Sequence, residues 1–142
     1  MLIDGKEHRI RMHGKDYHCA LDVTMDYIGG KWKTIVLWYL RGNAKRFSEL
    51  NRQIPGITEK MLSMQLRELE KDGLVKRTIF PEVPPRVEYE LTAEGKTLLP
   101  LLEEIAKWGR KMGAKHGKVE EVPTTPRKPA NKIIARVSKR VA

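Results

Sequence analysis

Thr58-Glu59-Lys60-Met61-Leu62-Ser63-Met64-Gln65-Leu66-Arg67-Glu68-Leu69-Glu70-Lys71-Asp72-Gly73 is the stretch on which the reading of the fold turns. Leu62, Leu66 and Leu69 fall at i, i+4 and i+7, so a helix would carry them as one apolar stripe. Thr58 is placed to cap its amino end, and Asp72-Gly73 ends it with a residue that accepts the left-handed conformation. At about 100° per residue, Lys60, Met64, Arg67 and Lys71 point away from the leucines, with Ser63 on the flank. Just upstream, Ser48 can cap a short helix carrying Leu50 and Ile54, which Pro55-Gly56 stops sharply. Two helices joined by so short a turn cross steeply, which is the spacing of a helix-turn-helix.

Working outward, Gly73 is followed by two strand-like runs, Leu74 to Phe80 and Arg86 to Leu91, around the loop Pro81 to Pro85. In the second run Val87, Tyr89 and Leu91 alternate with Arg86, Glu88 and Glu90, the pattern of a half-buried antiparallel strand. A two-stranded wing is therefore expected after the second helix of the motif. Before the motif, Leu21, Met25 and Ile28 have helical spacing up to Gly29-Gly30. A second run from Trp32 to Leu40 is apolar on nearly every side and reads as a buried helix. After the wing, Thr92 can cap a last helix that runs through Leu98, Leu99, Leu101, Leu102, Ile105, Ala106, Trp108 and Met112 and that Pro100 should kink or split.

These elements define an α+β winged helix-turn-helix, mostly helical with a two-stranded β-wing, spanning residues 19–113. Residues 1–18 read as a short extended arm. Residues 114–142 hold eight Lys or Arg against two acidic residues, with Pro123, Pro126 and Pro129, and read as a basic tail without a packed core. The apolar stripe of residues 98 to 112 is wider than one small core needs, so the terminal helices are expected to pair two copies into a homodimer.

The net charge is +10 in 142 residues, which points to a polyanionic partner, but residues 21–113 hold sixteen basic against thirteen acidic side chains. Nucleic-acid binding by the folded part must therefore rest on where its cations point. No apolar run reaches the roughly 18 residues that a membrane span requires, and Met1 to Arg11 have no secretory pattern, so no membrane partner and a cytoplasmic location are expected. A single cysteine, Cys19, excludes an internal disulfide. His8, His13 and His18 beside Cys19 match no zinc spacing, so neither a metal nor a cofactor is expected. The sequence lacks a phosphate-binding glycine loop, a nucleophile elbow and a credible carboxylate pair, and an enzyme is not expected.

The ordered set Ile28-Gly29-Gly30-Lys31-Trp32-Lys33, Arg46-Phe47-Ser48-Glu49-Leu50, Ile57 to Ser63, Leu66 to Glu70, Asp72-Gly73-Leu74-Val75, Pro81 to Tyr89 and Leu91-Thr92 resembles the HxlR family of winged-helix transcription regulators. The resemblance covers residues 19 to 112. It implies a transcription regulator that binds double-stranded DNA as a homodimer on a near-palindromic operator. It also implies that the cysteine before the first helix, here Cys19, can sense oxidants or electrophiles; Ala20 stands where a proline often follows that cysteine. No small-molecule effector is named by the pattern.

The second helix of a helix-turn-helix enters the major groove amino end first. Lys60, Ser63 and Met64 are accordingly candidates for base edges, Thr58 for a phosphate near the helix start, and Arg67 and Lys71 for phosphates further along. Lys76, Arg77 and Arg86 on the wing, and Lys45 and Arg46 ahead of the motif, are further candidates for phosphate or minor-groove contact. Two rival functions share these residues: a winged-helix protein-interaction module, whose exposed helix face should be acidic or apolar, and a nonspecific nucleic-acid binder working through the tail.

Overall fold

The structure, a computed structural model, describes residues 2–122. Two small hairpins come first: β1 (Leu2–Ile3) with β2 (Lys6–Glu7), and β3 (Ile10–Met12) with β4 (Lys15–Tyr17). Each turns through two residues of positive φ, Asp4-Gly5 and His13-Gly14, the two-residue turn whose twist suits a hairpin. The expected extended arm is therefore folded back on itself twice. The turn signals lie in Asp4-Gly5 and His13-Gly14, but the two- and three-residue runs between them are too short to show a strand's alternation.

The second hairpin is fastened to helix α1 (Ala20–Ile28). Tyr17 is buried, its hydroxyl donates to Asp26 Oδ2 at 2.5 Å, and Lys15 Nζ reaches the same oxygen at 2.9 Å. The Tyr17 hydrogen bond, then Lys15, holds the Asp26 carboxyl below its ordinary range.

Helix α2 (Trp32–Tyr39), α3 (Phe47–Gln53) and α4 (Glu59–Lys71) form the compact helical unit. Val36 and Leu37 of α2, Leu50 of α3, Ile54 and Ile57 of the turn, and Leu62, Leu66 and Leu69 of α4 share one core. The α4 stripe is buried as its spacing dictates. Thr58 Oγ1 accepts the Met61 N–H at 3.1 Å, and Gly73 at φ +76° lets the Leu74 N–H return to the Leu69 carbonyl at 2.9 Å. Ser48 is not the cap of α3. Arg46 occupies that position, and its N–H donates to Glu49 Oε1 at 3.5 Å, because the chain enters the helix two residues earlier out of a strand.

That strand extends the sheet of the wing. β6 (Val75–Phe80) and β7 (Arg86–Leu91) pair antiparallel, Phe80 opposite Arg86 and Val75 opposite Leu91, and β5 (Lys45–Arg46) adds to the other edge of β7, giving the order β5-β7-β6. The expected two-stranded wing is present as β6 and β7, and β5 adds a third strand to its sheet. A two-residue strand has no alternation to read, so its pairing was invisible in sequence.

After Thr92, whose hydroxyl accepts the Gly95 N–H at 3.0 Å, come α5 (Ala93–Thr97) and α6 (Leu99–His116). The helix is split at Leu98, leaving Pro100 in the first turn of α6, where its missing N–H costs no hydrogen bond. α6 runs on to His116, beyond the boundary expected at residue 113, because Gly113 and Ala114 continue it without strain. The basic tail beyond residue 122 lies outside the described residues. Among the described residues no helix is long and apolar enough to cross a membrane.

Candidate nucleic-acid interface

With its leucine stripe in the core, α4 has one outward face left. Lys60, Met64 and Arg67 are exposed on it, and Ser63 is half-buried at the edge nearest the wing. Two features point the helix at an anion. Its amino end presents unpaired backbone N–H groups and the positive end of the dipole. Thr58 uses its oxygen to accept from Met61, so its hydroxyl proton remains to donate outward.

A half-buried ion pair ties this helix to α2. Lys33 of α2 meets Glu68 of α4 at 3.1 Å, with the lysine side chain only 14 % exposed. Lys33 was missed at the level of sequence. The signal was there in a lysine set within an otherwise apolar helix, which has to find an acid or reach water.

Ser63, Arg67 and Glu70 of α4 face Arg77 and Tyr89 of the wing across a cleft of about 270 Å³. Helix and wing therefore bring Ser63, Arg67 and Arg77 together, three of the candidates. Lys76 is exposed on β6 opposite Glu90, and Arg46 is exposed at the start of α3. Lys45 is engaged within the fold, with its Nζ 2.6 Å from Gln53 Oε1 and over the Tyr39 ring at 5.9 Å. Lys71 is set apart from the other candidates, in a cleft lined by His13, Tyr17, Asp26, Asp72 and Glu94 at the opposite end of α4. Arg86 is held by its own wing, with Glu82 at 3.3 Å, Glu88 at 3.6 Å and the Phe80 ring 4.1 Å below its guanidinium.

Away from α4 lies an apolar surface. α1 buries only Ile28 and leaves Leu21 74 % and Met25 57 % exposed, one turn apart. α6 buries only Leu102 and leaves Leu101, Ile105 and Trp108 exposed, the last at 66 %. Trp32, Ile35, Trp38, Leu102 and Ile105 line an apolar cleft of about 430 Å³ between α2 and α6. Cys19 stands half-buried at the amino end of α1, with an extended backbone. Among the described residues no three His, Cys, Asp or Glu side chains are grouped as a metal ion requires.

Comparison with known proteins agrees with this architecture. The model of the HxlR-like helix-turn-helix family matches residues 27–117. A protein of Methanothermobacter thermautotrophicus, described as an uncharacterized HTH-type transcriptional regulator, is 50 % identical over 103 residues, covering 72 % of this chain and 79 % of that protein. YkvN of Bacillus subtilis, described in the same words, is 52 % identical over 95 residues, covering 67 % of this chain and 80 % of its own. Among solved structures, the redox regulator HypR in its oxidized form is 44 % identical and superimposes with a TM-score of 0.63 over 71 % of this chain and 100 % of that one.

Proposed function

The chain belongs to the HxlR-like helix-turn-helix family, and from that membership we propose that it is a transcription regulator that grips double-stranded DNA with α4 and the wing, two copies at a time. The observation that carries the reading is the division of α4: Leu62, Leu66 and Leu69 are sealed in the core, while Lys60, Met64 and Arg67 face outward, with Lys60 in the first turn, at the end of the helix that attracts phosphate. In this reading Lys60, Ser63 and Met64 meet base edges. Thr58, Arg67, Lys76, Arg77 and Arg46 meet phosphates. The basic character of this face favours DNA over a protein partner as its occupant.

Pairing of two copies follows from what α1 and α6 leave uncovered. Leu21, Met25, Leu101, Ile105 and Trp108 are too many large apolar side chains for two helices that each bury one residue. A two-fold dimer would set its α4 helices one DNA turn apart, with half-sites about 10 base pairs between centres. Sedimentation at micromolar concentration should give a dimer alone and two protomers on a duplex bearing an inverted repeat. Trp108→Asp should sediment as a folded monomer, with a melting temperature at or below the parent's that no longer depends on protein concentration, since the substitution removes the stabilisation that pairing adds. A monomeric parent protein, or a dimer indifferent to Trp108→Asp, would remove this arrangement.

The same reading gives Cys19 a regulatory role like that named for the redox regulator HypR, to which the chain is similar. Cys19 begins α1, so oxidation or alkylation of its sulfur, or a bond between two copies, would act directly on the helix that pairs them. Cys19→Ser should bind DNA as tightly as the reduced parent and lose any response to peroxide or quinone. A mutant that still responded would assign Cys19 to packing alone.

A further inference from the structure

We propose that Arg86 is a positioning residue, which closes the wing and presents its tip without a cation, and that it makes no contact of its own with a phosphate. Three observations converge on it. Phe80 and Arg86 are the last paired residues before the loop Pro81 to Pro85, so whatever joins them sets the loop's exit. The guanidinium stacks on the Phe80 ring at 4.1 Å, while its Nη2 lies 3.3 Å from Glu82 of the loop and its Nε, which makes no hydrogen bond, pairs electrostatically with Glu88 of β7 at 3.6 Å. Its Nε is shut off from solvent, although every residue of the loop is exposed.

The chemistry follows from the charge count. One guanidinium lies between two carboxylates, so the tip carries no surplus positive charge to offer a phosphate. To reach DNA, Arg86 would have to leave both carboxylates and the ring, exposing two anions beside a polyanion. Held where it is, it neutralises Glu82 and Glu88 and keeps the loop in one shape, so that little ordering is left for the moment of binding. A planar, forked cation is required for stacking and for bridging two acids, and lysine offers neither geometry. With Glu82 turned to the guanidinium, the tip offers Val83, fully exposed and followed by Pro84 and Pro85, so it meets its partner as an apolar surface.

The proposal rests on the wing's reading as part of a DNA interface, and one of its tests needs no DNA. Amide exchange at Glu82 and Val83 in the free protein should quicken severalfold in both Arg86→Lys and Arg86→Ala, with melting temperature little changed. Unaltered exchange in both variants would overturn the clamp whatever the protein binds. On operator DNA both variants should bind more weakly, to a similar extent, with the salt dependence of the parent. If Arg86 instead gripped a phosphate, Arg86→Ala would lower the salt slope by about 0.9 and Arg86→Lys would restore affinity, and that result would also overturn the proposal. A parent protein with no preference among duplexes would discredit the DNA reading while leaving the exchange result to decide the role of Arg86.

Discussion

Leu66→Ala is expected to destabilise the protein by about 2 to 5 kcal/mol and to abolish DNA binding only as the chain unfolds. Leu66 is 1 % exposed and sits between Leu62 and Leu69, both sealed, in a cluster with Val36, Leu37 and Leu50. Truncation removes the burial of the isobutyl group, and the space left behind opens in a core where α4 packs against α2 and β6, neither of which can slide inward alone. The cost should fall near the upper part of the range if the cavity stays open and near the lower part if Met61, which packs against the same cluster and bends easily, fills it. Thermal melting with and without an operator duplex measures both halves of the claim. A variant that melted like its parent but bound no DNA would mean that Leu66 belongs to the interface and not to the core.

Much of this architecture could be read from residue spacing because α4 states its two faces so plainly. The cap at Thr58, the stripe ending at Leu69 and the stop at Gly73 each follow from one local rule, and all three agree. The split at Pro100 was legible for the same reason. What escaped the sequence were pairings between distant residues. β5 is two residues long and exists only because β7 has a free edge beside it. Lys33 with Glu68, and Tyr17 with Asp26, are contacts across 35 and 9 positions that no period announces.

The candidate interface was legible in part. Helical geometry alone separated Lys60, Met64 and Arg67 from the leucines, with Ser63 on the flank, and the structure leaves the first three exposed and Ser63 half-buried. It could not tell a cation that faces solvent from one already committed to a neighbour, because that depends on which acids the sheet brings near. Lys45 is drawn to Gln53 by the β5–β7 pairing, and Arg86 is held by Glu82 and Glu88 on its own hairpin. For the same reason Lys71, on the same helical face three turns from Lys60, shares a cleft with Asp26 and Glu94.

The second large effect concerns the outward face of α4. Lys60→Ala and Ser63→Ala should each lower specific binding by about 1 to 3 kcal/mol where a well-formed base contact is lost, which is roughly fivefold to 150-fold in affinity. Both side chains lie outside the core, so the folded state should be kept, in contrast to Leu66→Ala. Arg67→Ala should weaken every duplex alike, because a phosphate contact carries no base information. The most direct test selects an operator from randomised duplexes with the parent protein. The affinities of the parent, Lys60→Ala, Ser63→Ala and Arg67→Ala are then measured for that operator and for a scrambled duplex at one salt concentration. The account predicts that the first two variants lose preference for the operator and the third loses affinity for both duplexes equally. Three variants that bound the operator as tightly as the parent would contradict it, and α4 would not be the element that reads DNA.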